Sequence, residues 1–343
     1  MIECWRLDSP ATSLVLVSHN GQLPEVLHFG ARLADGENLV ALYRASISDV
    51  TGGMIDARPH MSVCPLAEDT FPGAQGSDAV FSPRFLEAEE GDAALVLTFA
   101  DGSTTYRLEV ELDAETDVWT MIAHLSGVDA SWLTAPAFPV PSDSDHFVTY
   151  GGKWIGEFKE NRVDWVTGAH VREVRDGRTS HEAFPGVLIP CDDGFIAGHL
   201  GMRCGHRFVA EQLPDGRRQI QFGPMLGRVE NEITAGPLYL TRAENRNGVT
   251  ANLHAHFRKH IATFADPSRP RPVHYNCWEA VYFDHDEVLL HDIATRAADA
   301  INQGTRKLWA GLPCTERHGH PVTALLLHQA AECKANQSCN LGS

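Results

Sequence analysis

Apolar and polar side chains alternate with a period of two in parts of the first 265 residues. The clearest instance ends at Leu112, where Tyr106, Leu108, Val110 and Leu112 interleave with Thr105, Arg107, Glu109 and Glu111. Successive side chains of a strand point to opposite faces, so the alternation predicts a half-buried strand. Apolar runs at 14–17 and 94–99 also have strand length. Asp101 and Gly102 stand between two of these segments and predict a hairpin turn. Asp-Gly or Asn-Gly pairs recur at 176–177, 193–194, 215–216 and 247–248. Short strands punctuated in this way predict a large antiparallel sandwich over 1–265, with no long amphipathic helix in it.

The pattern changes at 266–272, where Pro267, Pro270 and Pro272 make a stiff connector. A short strand is expected over 273–276. A helix is expected over about 286–299, capped by Asp284 or Asp286, with Val288, Leu289, Ile293, Ala297 and Ala298 at helical spacing. Strand, loop and helix in that order open a parallel α/β fold. Residues 301–343 differ again. They carry four basic and two acidic side chains and three of the eight cysteines, Cys314, Cys333 and Cys339. A helix over 321–336 is allowed, but nothing there resembles a further barrel strand. Two readings stay open for this tail: a disordered terminus, or a segment translated in another reading frame.

Charge and composition narrow the function. A net charge of −17 repels phosphate backbones, which argues against a nucleic-acid partner. Glu3, Arg6 and Asp8 stand where a secretory leader needs apolar residues. No apolar run reaches the roughly 18 residues of a membrane span. The expectation is a cytoplasmic protein with no membrane partner. The scattered cysteines then read as free thiols. The histidines invite a metal reading at Cys314, His318 and His320, or at His254 and His256, which share a face if they lie on a strand. Neither group supplies four ligands at structural-zinc spacing, so no metal and no cofactor are expected.

The most specific signal is the run Asn276, Trp278, Glu279, Ala280, Tyr282, Phe283 and Asp284. It resembles the segment that opens the catalytic barrel of family 36 glycoside hydrolases, the bacterial-type α-galactosidases. Trp154, Glu157 and Phe158 are similar to an element of that family's sandwich. So are Ser180, His181 and Phe184, although here Pro185 follows the phenylalanine. His254, His256, Phe257 and Arg258 resemble the sandwich's last strand. The resemblance covers 1 to about 300 and implies a mostly β fold: a β-supersandwich, then the start of a (β/α)₈ barrel. A whole barrel takes about 250 residues, whereas about 70 follow Pro272. The expected organisation is a sandwich over 1–265, a connector over 266–272, a first strand–helix unit over 273–300 and an atypical tail over 301–343.

The resemblance also implies an activity, retaining hydrolysis of terminal α-galactosides, with two aspartates on later barrel strands. Such hydrolysis needs one carboxylate to attack the anomeric carbon and another to protonate the leaving oxygen. After residue 300 the sequence holds only Glu316 and Glu332, in no matching motif, so no catalytic residue is assigned and the chain alone is expected to be inactive. Cys191, Asp192, Asp193, Gly194 and Phe195 imitate a missing barrel motif but read better as a hairpin turn. Trp278 would stand at the C-terminal end of the first barrel strand, where an indole stacks on galactose. Asp56 and Arg58 faintly resemble a family loop that can reach into a neighbouring subunit's sugar site, and otherwise read as a solvated turn. The expected partners are α-galactoside sugars, and the sandwich leaves room for a homo-oligomer. The alternative is a stand-alone carbohydrate-binding or oligomerisation module without catalysis.

Overall fold

The computed structural model describes residues 1–46, 66–67, 83–127, 130–152, 158–174, 183–201, 205–214, 216–225, 231–262 and 286–308. The chain divides into two compact units, Met1–Thr263 and Phe264–Ser343.

The first unit opens with strands β1 (Ile2–Asp8), β2 (Thr12–His19) and β3 (Glu25–Ala31), then helix α1 (Leu39–Ser46) and the short β4 (Leu66–Ala67). Four strands follow in consecutive hairpins: β5 (Arg84–Glu90), β6 (Ala94–Asp101), β7 (Thr104–Asp113) and β8 (Val118–Ser126). Next come β9 (Ala130–Trp132), β10 (Phe138–Val140), β11 (His146–Gly151), β12 (Lys159–Asp164) and β13 (Gly168–Val174). The unit closes with β14 (Ala183–Cys191), β15 (Gly194–Leu200), β16 (His206–Gln212), β17 (Arg218–Pro224), β18 (Glu232–Ala243) and helix α2 (Arg246–His260).

These strands form a nine-stranded sheet ordered β12-β11-β14-β15-β18-β8-β7-β6-β5, a four-stranded sheet β10-β17-β16-β13 and a three-stranded sheet β1-β2-β3. Strands β4 and β9 pair as a separate two-stranded sheet, and side chains from the three larger sheets meet in one apolar core. Leu14 and Leu16 come from β2, Leu108 and Trp119 from the large sheet, and Phe208 and Phe222 from the four-stranded sheet. The expected alternation holds in β7, where Tyr106, Leu108, Val110 and Leu112 are buried. It also divides the two faces of β14. Val187 and Ile189 enter the main core, while Leu188 joins a second cluster on the opposite face with Val148, Ala197 and Val249 of α2.

Turn chemistry appears where the sequence places it. Asp101 pairs with Thr104 across the β6–β7 turn, and Gly102 takes φ +60°. Cys191 pairs with Gly194 across the β14–β15 turn. Gly194 has φ +144°, and a Cβ there would meet the Ala243 carbonyl oxygen at 2.4 Å. The Cys191–Phe195 segment is therefore a hairpin. The Asp176–Gly177 signal lies outside the described residues.

The end of the unit corrects the sequence reading. Residues 246–260 form a helix, not a strand, and Asn247 and Gly248 lie in its first turn. The Asn245 side chain accepts a hydrogen bond from the Gly248 N–H at 3.0 Å and so caps the helix. Val249, Leu253, His256, Phe257 and His260 recur at helical spacing, but two of the five are histidines, which hides the apolar stripe. Helix α1, with buried Tyr43, is a second helix that the pattern did not announce.

In the second unit the described element is helix α3 (Glu287–Leu308). The Asp286 carboxylate accepts from the Val288 N–H at 3.1 Å, as a capping residue should. The stripe turned away from solvent is Leu290, Ile293, Ala294, Ala297 and Ala298. Val288 and Leu289, expected in it, are exposed. The strand expected over 273–276 and the helix allowed over 321–336 lie outside the described residues. No described helix is long and apolar enough to cross a membrane.

Candidate functional site

Trp278, Asp56 and Arg58, the three residues proposed for sugar binding, lie outside the described residues. Trp154, Glu157, Ser180 and His181 do too, but Phe158 and Phe184, which close their two motifs, are described and meet in space. Their rings are 4.9 Å apart at a T-shaped angle, and Phe158 stacks on Tyr150 at 4.8 Å. Phe158 is half exposed and takes a left-handed backbone conformation, φ +59°. Two segments far apart in sequence thus converge on one aromatic edge of the large sheet.

The aromatic contacts continue beneath helix α2. Phe184 stacks on His199 at 4.8 Å with nearly parallel planes, and His199 touches Phe257 at 5.3 Å. The His199 Nδ1–H donates to the Pro185 carbonyl at 2.9 Å. Burial holds the His199 imidazole below its ordinary range despite that bond, so the ring is neutral. Tyr239 of β18 touches both Phe257 and His256 at 5.2 Å.

At the far end of this seam, α2 meets the β7–β8 turn. His260 Nε2 lies 2.7 Å from Asp113 Oδ2, and His256 Nδ1 lies 3.4 Å from the same oxygen. Lys259 donates to Asp113 Oδ1 at 3.0 Å and to Glu115 Oε2 at 2.7 Å. Thr116 Oγ1 is 3.2 Å from His256 Nδ1. Burial raises the Asp113 pKa, but hydrogen bonds from His260, Lys259 and Thr116 outweigh it and keep the carboxyl far below its usual range. Asp113, His256 and His260 can converge on one metal ion, their ligand atoms lying within 4.8 Å of one another. The sequence reading paired His256 with His254 instead. Two helical positions apart, His254 turns to solvent and His256 inward.

None of this forms the two-carboxylate machine of a retaining glycosidase, whose acid needs a raised pKa. Asp113 is held low, as described. Asp8 is raised by burial but lowered more by Arg6, Ser13 and Arg32. Asp145 is lowered by its hydrogen bond with His146 and by Arg162. Asp193, the motif mimic, pairs with Arg242 at 2.6 Å beside its turn. Cys4 and Cys191 are free thiols, as expected for residues with no disulfide framework. Burial and the neighbouring Asp143 and Asp193 carboxylates push the Cys191 thiol up to about 12, so this half-buried thiol stays protonated at the edge of the core.

The Glycosyl hydrolase family 36 N-terminal domain matches residues 22–195, and the Melibiase family matches residues 238–304. An α-galactosidase of Escherichia coli is 30% identical over 325 residues, covering 85% of this chain and 44% of that protein. The α-galactosidase AgaA of Geobacillus stearothermophilus is 26% identical over 172 residues, covering 46% of this chain and 24% of that protein. A solved structure of AgaA with 1-deoxygalactonojirimycin superposes with a TM-score of 0.67 at 17% identity, over 87% of this chain and 48% of that one. Another, with raffinose, gives the same four values. The chain spans about half the length, or less, of the relatives it matches. The antiparallel sandwich, the two matched segments and these likenesses agree: the chain belongs to glycosyl hydrolase family 36.

Proposed function

We propose that this chain serves the retaining hydrolysis of terminal α-galactosides. In that reading it supplies the sandwich and the first strand–helix unit of the catalytic barrel. The observation that carries the reading is the 30% identity with the Escherichia coli α-galactosidase. The run from Asn276 to Asp284 lies inside the Melibiase match. The domains are then a sandwich over 1–265, a proline connector over 266–272 and a barrel unit over 273–300. Trp278 stacks on the apolar face of galactose at the end of the first barrel strand. Asp56 and Arg58 belong to a loop that approaches the sugar. The 343-residue chain by itself does not complete a turnover. Its only acidic residues after position 300 are Glu316 and Glu332, and the carboxylates under helix α2 are committed to ion pairs.

The test is a chimera in which residues 1–300 replace the matching segment of the Escherichia coli enzyme. A soluble, folded chimera should release nitrophenol from a nitrophenyl α-galactoside. Trp278→Ala should lower its kcat/KM at least tenfold, because the stacking surface is lost. A folded chimera that cleaves a β-galactoside or an α-glucoside, and no α-galactoside, would contradict the substrate class.

A further inference from the structure

We propose that Asp113, His256 and His260 form a three-ligand site for a divalent transition-metal ion of the zinc type, fastening helix α2 to the β7–β8 turn. Two histidines four positions apart share one face of a helix. The structure adds a carboxylate from a distant strand on that face, giving two imidazoles and one carboxylate. Zinc holds nitrogen and oxygen ligands at about 2.0–2.1 Å in a tetrahedron, which places ligand atoms about 3.4 Å apart. The His256 Nδ1 to Asp113 Oδ2 separation is already 3.4 Å. His260, half exposed, needs only to withdraw from its present 2.7 Å. Its exposure also leaves the fourth position open to solvent.

The surroundings suit a bound ion. Asp113 Oδ2 faces both imidazoles, while Oδ1 is held by Lys259 and by the Glu115 N–H at 3.1 Å. Such outer hydrogen bonds orient a ligating carboxylate. Lys259 is the competing cation, and it has a second acceptor in Glu115 at 2.7 Å, to which it can retreat. The alternative is that the cluster is an ion-pair clamp and nothing more. The two differ in what Lys259 does. In a clamp it is a partner, whereas beside a metal it is a repelling charge.

The test uses the full 343-residue protein, titrated with zinc chloride by calorimetry and with cobalt chloride by visible absorption. Wild type should bind one more zinc than His260→Ala or Asp113→Asn. Its extra cobalt bands should lack sulfur-to-metal charge transfer, since no thiolate is in the site. Lys259→Met should bind that zinc at least threefold more tightly, with a melting temperature in metal-free buffer within a few degrees of wild type. Zinc at 100 times its Kd should raise the wild-type melting temperature by roughly 4–5 °C. Equal zinc stoichiometry in wild type and both ligand variants would overturn the proposal. So would cobalt bands carrying sulfur charge transfer that persist in His260→Ala, which place the ion on the cysteines and histidines of 314–339. A Lys259→Met protein that melts lower and binds zinc no better would establish the clamp instead.

Discussion

Helix α2 is the element that the sequence pattern misassigned, so its packing makes the sharpest test. Val249 is 1% exposed and sits against Val148, Leu188 and Ala197 on the outer face of the large sheet. Val249→Ala removes two methyl groups from that contact. Losing one buried methyl costs about 0.5–1.5 kcal/mol in packed cores, so losing two costs about 1–3 kcal/mol. Ala251 supplies the control. In a helix it lies 200° around the axis from Val249 and is exposed, and Ala251→Glu should change stability by at most about 0.5 kcal/mol. In a strand the two residues would share a face, and a carboxylate at 251 would be driven into the cluster. Urea denaturation followed by tryptophan fluorescence reads both variants. A Val249→Ala cost below about 0.5 kcal/mol, or an Ala251→Glu cost equal to it, would refute helical docking of 246–260.

Gly194→Ala should cost more than about 2 kcal/mol by the same assay, since it adds left-handed strain to a Cβ lying 2.4 Å from the Ala243 carbonyl oxygen; a neutral result would mean that the β14–β15 turn is loose. Tyr106→Phe should stabilise the sandwich by about 1 kcal/mol, because the hydroxyl is fully buried with no hydrogen-bond partner among the described residues; a loss of stability would show that it has one. His28 and His199 are held neutral by burial, so their folded pKa values lie below the unfolded value of about 6.5. As pH falls below that value the unfolded chain takes up protons that the folded chain refuses, and stability drops. The melting temperature should fall between pH 7.5 and 5.5, and less steeply in His199→Phe; identical slopes in the two proteins would exclude His199 as a source.

Much of the sandwich was legible because its strands carry period-two burial and its turns carry glycine. Tyr106 to Leu112 and Gly102 show both signals, and each has one dominant local cause. Helix α2 was not legible, because His256 and His260 occupy stripe positions where the pattern expects apolar side chains. Asn247 and Gly248 also mimic a hairpin, while the actual signal was Asn245 as a cap. The Asp113 cluster needed the tertiary fold, since its carboxylate stands 143 positions before His256. With 254–257 read as a strand, the i, i+4 relation between His256 and His260 was invisible. The convergence of Phe158 and Phe184 was likewise not deducible from two separate motifs. It comes from β12, which Phe158 directly precedes, and β14, which carries Phe184, flanking β11 in the sheet.

We propose that this family 36 chain pairs its sandwich with the opening of a barrel and lacks hydrolytic carboxylates of its own. The most direct measurement is the release of nitrophenol from a nitrophenyl α-galactoside by the purified 343-residue protein, at high enzyme concentration and with a folded state verified by circular dichroism. Loss of such groups lowers kcat by several orders of magnitude, so the expected rate is that of buffer alone. Steady turnover that co-purifies with the protein and is blocked by galactose would contradict the account, and would mean that carboxylates outside the barrel pattern perform the chemistry.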